Sequence, residues 1–265
     1  MIRQIIALIV GTVSGYLLGY IFGLSKYPFI SVLESEAWLS KILFISLLAF
    51  LVGAITSLTS WKHTPGLPGM AFSLTLTSLG VSAIFSSTKP LPKSTLEEAW
   101  VTTAIESMLI LLATLFTYSA AWLADTQVVF RKLAIKPAPK QVNSKLLLTQ
   151  LLPCIALTIL LAALLRAFFA VSMAWSGKIT LFCFLASGFL ASYLLKSKST
   201  LWYSGAAPFY LASSAIVVLS FPELVNNFAL LALPAKSWNY SLIICGLGST
   251  GAILGHWLRT AIKPN

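Results

Sequence analysis

The chain has 265 residues, 58% of them hydrophobic and only 9% charged, with a net charge of +11. No soluble domain of this length hides so much apolar surface, and its apolar runs are continuous rather than alternating, which excludes a β-barrel. The basic excess sits mostly in loops beside apolar runs, so it points to anionic lipid and membrane orientation and not to nucleic acid.

Eight apolar spans follow one another. The first, 4–24, comes after Arg3. It outlasts the apolar core of a signal peptide and no small-residue cleavage site follows it, so it reads as a retained helix. It carries Gly11, Gly15, Gly19 and Gly23 at every fourth position. Such positions drift by ~40° per step on a helix of 3.6 residues per turn, which makes a smooth, slightly winding groove. In lipid, small residues let backbones approach. The groove is therefore expected to pack within this protein's own bundle. Self-association, a partner face and a sliding surface in a transport cycle are the other readings.

The second span, 39–60, lies between Trp38 and Trp61, a rise of ~34 Å. The third, 67–87, opens with Pro68 in its first turn and carries Thr75, Ser78, Ser82 and Ser86 on one stripe. The fourth, 101–122, is bracketed by Trp100 and Trp122, ~33 Å apart. Thr103, Glu106, Thr114 and Thr117 share one side of it. These stripes read either as interhelical glue or as a polar path with Glu106 near its outer mouth.

Residues 125–145, DTQVVFRKLAIKPAPKQVNSK, form a linker with five basic residues, broken near its middle by Pro137 and Pro139. It is the expected contact for anionic lipid, either as an ordinary basic loop or with a short amphipathic segment on the membrane surface. The fifth span, 147–173, contains Arg166, and the sixth, 179–195, contains Ala186, Gly188 and Ala191. The seventh, 203–221, has Pro208, placed by this reading in its first turn. Residues 222–236 are apolar but too short to cross, so an interfacial or re-entrant piece is expected. The eighth span, 239–257, carries Gly251 and Gly255 with Gly248 one turn above, between Trp238 and Trp257, ~28 Å apart. Tryptophans mark membrane interfaces, so these spacings support the boundaries.

Basic residues divide eleven to six in favour of the side holding the N-terminus. The positive-inside rule then puts both termini in the cytoplasm, and the compact loops suit a plasma membrane of the bacterial inner-membrane kind. The chain also repeats itself: SEAWLSKI at 35–42 matches SMAWSGKI at 172–179, Trp100 matches Trp238, and WLAD at 122–125 matches WLRT at 257–260. The expected fold is an all-α membrane protein of eight transmembrane helices. It forms two parallel, same-orientation four-helix repeats, residues 1–124 and 146–265, joined by the linker.

Two groups of clear charge lie well inside spans, Glu106 and Arg166. They stand ~9 Å and ~13 Å from the outer tryptophans by helical rise, one in each half. Intramembrane charges are costly and mark function by default, so the two are expected to pair across the halves. The alternative has Arg166 snorkelling to headgroups beside a protonated Glu106. Cys154, Cys183, Cys245, His63 and His256 show no ligand spacing, so no metal, disulfide framework or cofactor is expected. GSTGAILG at 248–255 puts Thr250 where an intramembrane serine protease has its nucleophile, but no later helix supplies a histidine base. An enzyme is therefore not expected.

Two function classes remain. One is a small-solute or lipid permease with its site at the repeat interface. The other is a non-catalytic subunit or scaffold of a larger membrane complex, packed through its glycine faces. A homo-oligomer or other membrane subunits are the partners these classes imply.

Overall fold

The computed structural model describes residues 2–22, 38–60, 66–86, 96–129, 156–157, 160, 176–194, 200–220 and 240–262. Among them are seven helices and no strand: α1 (Ile2–Ile21), α2 (Trp38–Ser60), α3 (Leu67–Ser86), α4 (Leu96–Val129), α5 (Ser176–Leu194), α6 (Thr200–Ser220) and α7 (Tyr240–Ile262). Most of the expected fifth span, the linker beyond Val129 and the segment 222–236 lie outside the described residues.

Three helices contain stretches long and apolar enough to cross a membrane: Ile2–Ile21, Ile42–Ser60 and Ala104–Leu123. Helices α3 and α7 sit deepest: most described positions of α3 and nearly all of those in the middle of α7 are buried by neighbouring helices. A helix enclosed by protein does not need the unbroken apolar surface that lipid demands of a rim helix.

On α1 and over much of α4 the distribution of side-chain sizes is inverted relative to a soluble protein. On α1 the buried positions are Ala7, Gly11, Gly15 and Gly19, while Ile2, Ile5, Ile6, Ile9, Val13 and Leu17 are exposed. On α4, Ala104, Ser107, Ala113, Thr117 and Ala120 point inward, whereas Met108, Leu112, Leu115 and Phe116 point outward. Bulky residues outside and small ones inside are what lipid solvation favours, because burying an apolar side chain against protein gains little over burying it in acyl chains.

The most extensive helix contacts are α5–α7, α2–α4, α4–α6 and α3–α7. Lesser ones are α1–α2, α1–α3, α6–α7, α2–α3, α3–α4, α4–α7, α5–α6 and α3–α6. Helix α1 thus lies at the rim on α2 and α3. It runs against α2, since Gly11 meets Thr56 and Gly15 meets Val52. It runs with α3, since Gly11, Gly15 and Gly19 meet Ala71, Thr75 and Leu79 in turn. Phe22 and Phe44 close that corner, stacked with centroids 4.7 Å apart. One apolar cluster, with Leu48, Val52, Phe72, Ile110, Phe184 and Leu211 among its members, runs through the middle.

Two local features depart from the expected boundaries. The turn before α3 is made by Gly66, whose φ of 83° lies in the left-handed region. Its carbonyl accepts the Met70 N–H at 2.8 Å, and Pro68 sits in the first turn as expected. Helix α6, however, begins at Thr200, so Pro208 stands inside the helix rather than in its first turn. Likewise α4 continues to Val129, so the first five residues of the expected linker are helical.

The closest approaches are backbone on backbone. A Cβ on Gly53 of α2 would lie 3.0 Å from the carbonyl carbon of Thr117 on α4. On Gly251 of α7 it would lie 3.0 Å from that of Leu185 on α5. At Gly19 the obstacle is instead the end of a flexible side chain, Leu79 Cδ1 at 2.7 Å. Alanine is the better helix former by ~1 kcal/mol, but overpacking costs ~1–3 kcal/mol when the neighbour cannot yield. Gly53→Ala is therefore expected to lower the melting temperature in detergent and Gly19→Ala to leave it nearly unchanged. The reverse order would contradict the crossing described here.

Candidate functional site

Glu106 enters the bundle because it shares the inward side of α4 with Ala104, Ala113 and Thr117. Its residue is 2% exposed, which isolates a carboxyl from bulk water in the interior. Across the α4–α7 contact, within electrostatic reach of Glu106, stands Cys245, which is fully buried. Next to Cys245, a Cβ on Gly246 would lie 2.6 Å from the Ser73 carbonyl oxygen of α3. Glu106 therefore stands where helices from the N-terminal and C-terminal parts of the chain meet.

The hydroxyls of the two stripes have acceptors or donors close by. Thr114 donates to its own helix at the Ile110 carbonyl (2.8 Å) and Thr117 at the Ala113 carbonyl (3.0 Å). Thr75 donates to the Ala71 carbonyl at 2.9 Å and faces α1, as does Ser82, which accepts from the Tyr16 hydroxyl at 3.3 Å. The side chain of Thr103 and the whole of Arg166 and Gly23 lie outside the described residues. Gly11, Gly15, Gly19, Gly251 and Gly255 are all buried at helix contacts, the first three on α2 and α3 and the last two on α5.

Other polar groups occupy the interior, most of them without a role in the sequence reading. The Ser107 and Thr250 hydroxyls are buried without a hydrogen-bond partner among the described residues. Tyr118 Oη and Ser204 Oγ lie 2.8 Å apart, joining α4 to α6. Ser249 of α7 donates to the Ser204 carbonyl at 2.6 Å. Arg259 of α7 donates to the Tyr193 carbonyl at 2.8 Å, satisfying an acceptor in the last turn of α5. Ser107 could have been flagged by its place beside Glu106. Ser204 could have been flagged by its place four residues before a proline.

Chemically, a carboxyl in such a setting can hold or release a proton, or accept a cationic group that sheds its water. Among the described residues no three His, Cys, Asp or Glu side chains come together as metal ligands. The chain matches no protein-family model, no curated protein and no solved structure.

If Glu106 pairs with Arg166, removing either partner strands the other. Glu106→Gln and Arg166→Gln are then each expected to cost ~3–5 kcal/mol, while the double variant recovers most of the loss. Thermal melting of the four proteins in detergent reads this directly. Additive losses would dismiss the pair.

Proposed function

We propose that the chain is a multi-pass plasma-membrane permease for a small solute or lipid, built as two same-orientation four-helix repeats, with Glu106 as its working group. The observation that carries this reading is the buried carboxyl at the α4–α7 contact. Intramembrane ionisable residues are retained at cost and mark ion or substrate paths.

The pattern of helix contacts supports the repeat. If α2, α3 and α4 correspond to α5, α6 and α7, the contact α2–α4 exchanges with α5–α7, and α4–α6 with α7–α3. Likewise α3–α4 exchanges with α6–α7 and α2–α3 with α5–α6, while α4–α7 and α3–α6 map onto themselves. Two close crossings follow the same rule. Gly53 meets Thr117, and Gly188 meets Ala252, each residue of the second pair standing 135 positions after its counterpart (53 to 188, 117 to 252). On this reading the pseudo-two-fold axis runs along the membrane normal between α4 and α7, and Glu106 lies beside it. A site at the interface of repeats is a recurrent transporter arrangement. The basic residues put both termini and the linker on the cytoplasmic side, where the linker meets anionic lipid.

The test is native mass spectrometry of the protein extracted gently from its own membrane. A monomer or homodimer carrying a reproducible small-molecule or lipid adduct is expected. The adduct should disappear in the Glu106→Gln/Arg166→Gln double variant. A stoichiometric complex with other membrane proteins, and no adduct, would overturn the permease reading in favour of a structural subunit.

A further inference from the structure

Proline inside a transmembrane helix leaves a specific vacancy. In an α-helix each N–H donates to the carbonyl four residues back, so Pro208, which has no N–H, deprives the Ser204 carbonyl of its partner. In lipid an orphaned carbonyl is costly, and something must supply the missing donor. Here the donor comes from another helix: Ser249 Oγ of α7 reaches the Ser204 oxygen at 2.6 Å. The Ser204 hydroxyl is held in turn by Tyr118 of α4 at 2.8 Å. Both Ser204 and Ser249 are buried.

The surroundings are shaped for this contact. A Cβ on Gly69 of α3 would lie 2.9 Å from the Tyr118 ring, so the absence of a side chain there makes room for the tyrosine. A Cβ on Gly248 of α7 would lie 2.6 Å from the Ala207 Cβ, so α6 and α7 touch through their smallest residues. The two sides of Pro208 are also held by different chemistry. After it, Tyr210 packs on Phe184 with ring centroids 5.5 Å apart, and Leu211 joins the apolar core. Before it come Ser204, Gly205, Ala206 and Ala207, small residues tied to α4 and α7 by hydrogen bonds at Ser204.

We propose that α6 contains a latched hinge at Pro208: the Ser249 and Tyr118 hydroxyls fasten the segment before the proline to α7 and α4, and breaking those bonds lets that segment swing. Sharp helix bends localise at prolines because the ladder of hydrogen bonds is interrupted there. The latch joins α4 to α6 and α7 one turn of α7 away from Cys245, which lies within electrostatic reach of Glu106. Its use as a gate to Glu106 rests on the permease reading. The hinge itself does not.

The experiment uses full-length protein in lipid nanodiscs with Cys154→Ser and Cys183→Ser, which leaves Cys245 as the single thiol of the chain's three. The rate of N-ethylmaleimide labelling at Cys245 reports opening, with no solute required. Ser249→Ala and Tyr118→Phe are each expected to speed labelling by roughly fivefold, the factor a single net hydrogen bond is worth. Pro208→Ala restores the N–H that Ser204 lacks, so labelling should slow, and Ser249→Ala should then have no further effect. Equal acceleration by Ser249→Ala in the proline and alanine backgrounds would overturn the hinge, as would no acceleration in the proline background. Should Ser249→Ala melt below the assay temperature, Ser249→Thr replaces it. That variant keeps the donor and should label like the parent. Fast labelling of the threonine variant would equally reject the latch. An adduct-free mass spectrum would remove the solute while leaving this result intact.

Discussion

The bundle depends on helices approaching until one backbone meets another. At Gly53 on Thr117 and at Gly251 on Leu185, a single methyl group would collide with a peptide unit of the facing helix, and no rotamer change could relieve it. Lipid makes such contacts the main available source of cohesion. Apolar side chains are already at home among acyl chains, so the hydrophobic effect that collapses a soluble core scarcely distinguishes one helix face from another. Dispersion between closely packed atoms and a few interhelical hydrogen bonds remain. The exposed isoleucines of α1 and the buried glycines behind them are two consequences of that single constraint.

Much of this was legible in the sequence because the membrane imposes long-range regularities. The apolar runs and their tryptophan borders locate α2 almost to the residue, with the helix beginning at Trp38 and ending at Ser60. The fourfold glycine spacing on α1 marks a smooth face without ambiguity. What the sequence hides is which neighbour a face meets. The hydroxyl stripe on α3 resembles a polar path, yet Thr75 and Ser82 face α1. Threonine in a helix has a ready acceptor four residues back, so a row of hydroxyls carries little information about a path. The first residues of α6, Thr200 to Trp202, are not uniformly apolar, so the apolar run starts later than the helix and brings Pro208 nearer its start.

Polar groups in the interior divide by how far they reach. Thr56, Ser73, Thr77, Thr114 and Thr117 all donate to carbonyls of their own helices. Such bonds satisfy the hydroxyl without tying one helix to another, and they persist if the helices move. Cross-helix bonds are fewer among the described residues, and two of them converge on Ser204. That convergence has a cause in the chain itself: a proline four residues later frees a carbonyl, and here the Ser249 hydroxyl of another helix satisfies it. The proline thus converts an internal helix bond into a bond between helices, and it can be broken without unwinding either one.

The proposed repeat is uneven in an informative way. The packing positions correspond across 135 residues: Gly53 with Gly188, Thr117 with Ala252, and Trp122 with Trp257. At the same offset, Glu106 corresponds to Ser241 and Tyr118 to Ile253. Small residues at the crossings are constrained in both halves because each crossing brings two backbones of one half together, and a larger residue at either would push those two helices apart. A carboxyl or a phenol is constrained by no such contact. On the proposed repeat it belongs to one half because a pseudo-axis would offer a single central place, and two carboxylates facing each other across it would repel in a medium that screens charge poorly. Shared packing with divergent chemistry is therefore what a duplicated membrane bundle with one central ionisable group requires.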